Sequence, residues 1–199
     1  MLYSMSSNEK DTRTRILQTT WELLESNPGR SLKMSEIAKA SGVSRQALYL
    51  HFDSRTELLI ATTHYVDDVK GLDQRLQKLQ LAKSGKEMLR TCVEIWGNYI
   101  PEIYSVSKAL MMSKDSDEAA AAAWADIMSC LRDVCVQIIQ TLEKENKLSP
   151  NWTQQHATDF IWTMISIQNW EQLTTECGWN QEQYISNLTE ALTTTLVAD

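Results

Sequence analysis

Residues Ser35 to Phe52 read S-E-I-A-K-A-S-G-V-S-R-Q-A-L-Y-L-H-F, and the middle of that stretch decides the fold. Ile37, Ala38 and Ser41 fall on one face at helical spacing. Gly42 then supplies a position where positive φ carries no steric cost, and Ser44 can accept a backbone N–H of the next turn as an N-cap. One helix stops and another starts between Ser41 and Ser44. In the second, Ala47, Leu48, Leu50 and Phe52 are expected to supply apolar contact, leaving Arg45, Gln46, Tyr49 and His51 on or beside the solvent face. Such a pair is a helix-turn-helix, whose second helix sets its N-terminal side chains against base edges while the first crosses the phosphate backbone.

The same turn also occurs in bundles that bind nothing, so the flanks carry weight. Upstream, Asp11 is expected to cap a helix with Ile16, Leu17, Thr20, Trp21 and Leu24 on one face, closed by Asn27-Pro28-Gly29. Downstream, Ser54-Arg55-Thr56-Glu57 has the form of a capping box. It opens a helix predicted to run from Ser54 to about Leu81, with a kink at Gly71. Helix, loop, helix-turn-helix and capped long helix is a specific order. The chain here resembles the tetracycline-repressor (TetR) family of transcriptional regulators. The resemblance is carried by Arg15-Ile16-Leu17, Met34-Ser35-Glu36-Ile37-Ala38, Gly42-Val43-Ser44, Leu48-Tyr49-Leu50-His51-Phe52 and Glu57-Leu58-Leu59, roughly the first third of the chain. It implies an all-α homodimer whose paired N-terminal domains bind a palindromic operator in double-stranded DNA. It also implies a C-terminal helical bundle, for ligand binding and dimerisation, where a small molecule releases the protein from DNA. On this reading residues 1–54 form the DNA-binding domain and 55–199 the ligand-binding and dimerisation domain.

Charge placement fits that division. The 199 residues carry a net charge of −7, which argues against nucleic acid until it is located along the chain. Residues 1–55 hold eight Lys/Arg against six Asp/Glu, and the remainder 11 against 20. Only the N-terminal part tolerates phosphate. Within it, Arg45 and Gln46 are the candidates for base-edge contact. Tyr49 and His51 are assigned to phosphates or a thymine methyl, with packing as the alternative for Tyr49 and capping or packing for His51. Ser35, Ser44 and Arg55 are candidate backbone anchors, and Lys10, Arg13 and Arg15 could add contacts from the N-terminal arm.

Beyond residue 60 the chain reads as helices of unequal burial. Ser84-Gly85-Lys86-Glu87 is a second capping box, opening a helix that Pro101 is expected to end; a shorter helix through Ile103 and Met111 follows. A long helix bearing Trp124, Ile127, Leu131 and Ile138 comes next, stopping near Asn146 and Pro150. Between Trp152 and Cys177 apolar residues surround nearly the whole helical circumference, so that helix must be covered on both sides. The last helix offers a stripe of Tyr184, Ile185, Leu188, Leu192 and Leu196. Pairing of the helices near 152–177 and 181–197 with a second copy is one solution, matching the resemblance; a central place within one chain is the other. Two recognition helices about 34 Å apart would then read successive major-groove faces.

Seven tryptophans and eight methionines invite a ligand. Trp96, Tyr99, Tyr104, Met111, Trp124, Met128 and Trp162 lie on helices that would surround a bundle cavity suited to a small hydrophobic effector, although an aromatic stripe also suits a core. No acidic residue falls on the predicted inward faces of 86–100 and 119–145, favouring a neutral or anionic effector. Cys92, Cys130, Cys135 and Cys177 lack zinc spacing and are expected to be buried and reduced, with no metal or cofactor. Residues 1–10 hold no leader-like apolar core, and no run is long enough to cross a bilayer, so a cytoplasmic protein without a membrane partner is expected. Gly42-Val43-Ser44-Arg45-Gln46 lacks the second glycine of a nucleophile elbow, and His51, His64 and His156 have no evident partners. Catalysis is not expected. The alternative to a ligand-released repressor is a helical DNA-binding dimer acting as an architectural or protein-interaction module.

Overall fold

A computed structural model describes residues 7–198; residues 1–6, part of the segment 1–10 expected to hold no leader, and residue 199 lie outside the described residues. The elements are α1 (Ser7–Ser26), α2 (Met34–Ala40), α3 (Arg45–His51), α4 (Arg55–Lys70), α5 (Leu72–Gln80), α6 (Gly85–Ser113), α7 (Glu118–Lys144), α8 (Gln154–Met164), α9 (Ile167–Glu171) and α10 (Gln181–Leu196). A π-helical turn over Gln172–Glu176 continues α9. No strand forms among the described residues, where a single antiparallel bridge joins Leu148 to Val197. The protein is all-α, as its periodicity implies.

Among the described residues the chain divides into two compact units, one within Met1–Lys70 with Ile103–Ala125 and the other within Gly71–Glu102 with Asp126–Asp199. The first has a core of Ile16, Leu24, Ile37, Leu48, Phe52, Leu58, Leu59 and Val66, joined by Val106 and Ala109. Apolar contact therefore binds α4 to the N-terminal helices, which the expected boundary after residue 54 separates. The second is built on Leu89, Cys92, Val93, Leu131, Cys135, Ile138, Leu142, Ile161 and the α10 row Tyr184, Leu188, Leu192 and Leu196.

Several helix limits differ from the expected ones, each for a local reason. Helix α1 begins before Asp11, which is exposed along its side and does not cap it. Gly71 takes φ 66° and ψ 46°, a left-handed conformation that stops α4 outright and starts α5 anew where a kink was expected. Pro101 lies inside α6. The ring removes one ladder hydrogen bond, yet burial of Val93, Tyr99 and Ile100 before it and of Val106, Ala109 and Leu110 after it holds both halves helical. The segment 152–177 is not one helix. Ser166 Oγ accepts the Asn169 N–H at 3.3 Å, and Asn169 Nδ2 donates to the Met164 carbonyl at 2.7 Å. These short polar side chains offer the backbone an alternative to the ladder. A wheel drawn at constant angle therefore loses phase there. The α10 row of Tyr184, Leu188, Leu192 and Leu196 is buried in its own unit, which leaves the half-exposed Ile185, Thr189 and Thr193 on other faces.

Of the cysteines, Cys92 and Cys135 are buried, whereas Cys130 and Cys177 are exposed, against expectation. Burial pushes the Cys92 thiol well up and Cys135 up to about 12, so neither is a nucleophile at neutral pH. No helix is long and apolar enough to cross a membrane among the described residues, and no three His, Cys, Asp or Glu gather there as a metal site would require.

Candidate nucleic-acid interface

The turn between α2 and α3 has the expected construction. Ser41 closes α2, its N–H donating to the Ile37 carbonyl at 2.9 Å. Gly42 follows at φ 68°, and the Val43 N–H returns to the Ala38 carbonyl at 3.0 Å. That six-to-one bond is a Schellman closure, which requires a left-handed residue at the position Gly42 occupies. Ser44 then accepts the Ala47 N–H on Oγ at 3.0 Å, capping α3. At the entrance to α2, the Glu36 carboxylate accepts the Lys33 N–H at 2.9 Å and pairs with Arg30 at 2.5 Å. The Lys33 amide and then the Arg30 charge hold the Glu36 carboxyl below its usual range.

Helix α3 has seven residues and one fully buried side chain, Leu48. Phe52, wholly buried, closes it with extended backbone and an N–H bond to the Leu48 carbonyl at 3.0 Å. The Arg13 guanidinium lies 4.4 Å above the Phe52 ring. Everything else on the outer side of α3 is open. Ser44, Arg45 and Gln46 are exposed, Tyr49 is 38% exposed, and His51 is half-buried beside Phe52. Arg45 stands 5.6 Å over the Tyr49 ring, so cation and aromatic form one surface. No acidic residue occurs in α3. Ser35 is exposed in the first turn of α2, as are Lys10 and Arg15 on α1.

Two residues depart from the expected placing. Leu50, assigned to the core by its type, is 83% exposed. At 100° per residue it lies about 200° around the helix from Leu48, and that angle is the signal by which the sequence could have placed it outside. Arg55 is partly buried and turned inward, Nε donating to the Leu32 carbonyl at 2.9 Å and Nη1 to Ser113 Oγ at 3.2 Å. Beside it Thr56 Oγ1 donates to Asp117 at 2.6 Å, and Asp117 caps α7 by accepting the Ala120 N–H at 3.0 Å. The Thr56 hydroxyl, followed by the Ala120 amide, holds the Asp117 carboxyl low.

The expected effector-lining residues divide between the units. Tyr104, Met111 and Trp124 fall in the first; Trp96, Tyr99, Met128 and Trp162 fall in the second. In the second, Trp96 meets Tyr99 edge-on at 5.7 Å, Arg75 faces Tyr99 at 5.2 Å, and Trp162 Nε1 donates to the Met128 carbonyl at 3.0 Å. Tyr99 is 1% exposed and Trp124 9%, so both are core side chains here. Trp96, Met128 and Trp162 keep partial exposure.

Residues 16–62 match the family model of the bacterial regulatory proteins of the tetR family. Over 64 residues the chain is 38% identical to the nucleoid occlusion factor SlmA of Marinomonas sp. (strain MWYL1), a match spanning 32% of each chain, so about a third of that relative's length is covered. With the SlmA of Marinobacter nauticus it shares 25% identity over 165 residues, 81% of this chain and 83% of the relative. The fold is similar to a solved putative transcriptional regulator from Saccharomonospora viridis in complex with choline, at TM-score 0.81 and 17% identity, covering 96% of this chain and 100% of the other.

Proposed function

The chain belongs, through residues 16–62, to the tetR family of bacterial regulatory proteins, and from that premise we propose that it is a homodimeric, ligand-responsive transcriptional repressor of a palindromic operator in the cytoplasm. The observation that carries the proposal is the bare outer face of α3: Arg45, Gln46 and Tyr49 project from a capped helix held from behind by Leu48 and Phe52. Arg45 suits a guanine edge and Gln46 an adenine edge, each bidentate pair being worth about 1–3 kcal/mol of discrimination. Ser35, Ser44, His51 and Tyr49 anchor phosphates around them. Arg55, with its internal bonds, stiffens the start of α4. Two copies pair through α8, α9 and α10, presenting both α3 helices about 34 Å apart. The effector is a small, largely apolar molecule that meets Trp96, Met128 and Trp162. It stabilises a dimer whose α3 spacing no longer fits the operator, and only differential affinity for the two states gives it any effect.

Selection of bound duplexes from a random pool tests this reading. The selected site is expected to be a palindrome. Arg45→Ala and Gln46→Ala, compared at matched salt, should each relax preference at one symmetric position per half-site. Uniform weakening across all sequences would reassign the residue to phosphate contact. A pool with no enriched sequence would overturn the proposal.

The identity to nucleoid occlusion factors favours a second reading, a DNA-bound dimer that works through protein contacts without an effector. Thermal denaturation across a panel of apolar, anionic and quaternary-ammonium compounds separates the two. An effector raises the melting temperature in proportion to the logarithm of its concentration, whereas a flat response throughout the panel supports the second reading.

A further inference from the structure

We propose that Leu50 reads the C5-methyl group of a thymine in each half-site and so fixes a position of the operator that hydrogen bonding leaves open. The inference rests on the DNA-binding reading above. A leucine 83% exposed on a short helix gains nothing from water and makes no hydrogen bond. Single exposed leucines are common, but this one shares the outward side of α3 with Arg45, Gln46 and Tyr49. It stands one turn beyond Gln46, at the i and i+4 spacing that lines two side chains along one row, about 6 Å apart along the axis.

The major groove offers one apolar group on its base edges, the thymine methyl. A row of amide followed by isobutyl therefore matches an adenine edge, which takes the bidentate Gln46, with a thymine methyl within one or two base-pair steps. Tyr49 does not compete for that place, because its ring faces Arg45 at 5.6 Å on the neighbouring strip of the helix. Leucine is too short and too apolar to substitute for a phosphate anchor. Its contribution is discrimination: burying one methyl against another carries the weight of about one methyl group in the choice of base.

The test uses the full-length protein and its selected duplex, with each thymine replaced in turn by uracil, which deletes only the methyl. At one symmetric position per half-site the wild type is expected to bind about three- to fivefold more weakly. Leu50→Ala should bind the thymine duplex weaker by a similar factor and treat thymine and uracil alike at that position, while keeping the wild-type response to changes at the Gln46 position. Retention of the uracil penalty in Leu50→Ala, or a flat uracil scan on a duplex that is otherwise selectively bound, overturns this inference alone. Absence of any preferred duplex overturns it together with the reading it rests on.

Discussion

Phe52→Ala is expected to lower the stability of the first unit by about 3–5 kcal/mol and to abolish selective DNA binding while leaving Arg45 and Gln46 in the chain. A seven-residue helix has no stability of its own in water, so α3 persists only through what it buries. It buries Leu48 in its middle and hands the chain to Phe52 at its end, both with no exposed surface. Removing the ring opens a cavity beneath the C-terminal turn and strips Arg13 of its aromatic partner 4.4 Å away. The cavity is the larger effect, since a partly exposed cation–π contact is worth about 0.5–1 kcal/mol. Phe52→Leu, which keeps most of the volume, should lose much less, and Arg13→Met less still. Urea denaturation gives the stabilities, and amide exchange reports α3 directly. Wild-type protection of the α3 amides in Phe52→Ala, together with wild-type binding of the selected duplex, would contradict the assignment of Phe52 as the anchor.

The ease with which this region is read from sequence has a physical source. Its signals are local: Gly42 at positive φ, the Ser44 cap, and the Ser54 and Glu57 box, where the Glu57 N–H meets Ser54 Oγ at 3.0 Å and the Glu57 carboxylate takes the Asp53 N–H. Each is set by residues within a few positions, so no knowledge of tertiary packing is needed. The departures arise where burial of the flanks, or one short polar side chain bonding the backbone, overrides a propensity or periodicity rule. Pro101 breaks a helix by propensity, yet α6 runs through it because both flanks are buried. Ser166 and Asn169 look like ordinary polar positions on a continuous helix, yet their bonds end α8. Leu50 is the opposite case: its residue type points inward, yet its angular position on a helix whose buried side Leu48 defines turns it outward. The Trp, Tyr and Met residues expected to line an effector cavity are the least legible. Seven residues chosen by type fall across two units, and type alone does not separate core side chains such as Tyr99 from partly exposed ones such as Trp96.

Leu192→Ala is expected to destabilise the second unit by about 2–5 kcal/mol, whereas Thr189→Arg on the outer side of α10 should leave the subunit folded and weaken pairing. Tyr184, Leu188, Leu192 and Leu196 recur every four residues and are all buried in their own unit, so the row that looked like a dimer seam serves the fold. Truncating Leu192 leaves a void with core residues around it, and the melting temperature should fall by on the order of 10 °C at fixed protein concentration. The pairing proposed for α10 therefore uses its other side. There a groove of about 590 Å³ is lined by Lys86, Arg90, Ile185, Thr189, Glu190 and Thr193. In a two-fold interface the same patch meets itself, so Thr189→Arg adds like charges beside Lys86 and Arg90 on both copies at once. Sedimentation should show a shift from dimer to single subunit with helical content unchanged, and the affinity for the full palindrome should fall toward that for an isolated half-site. If Thr189→Arg remains dimeric and binds the palindrome as the wild type does, α10 is not the pairing surface and the spacing of the two α3 helices must be set by other parts of the chain.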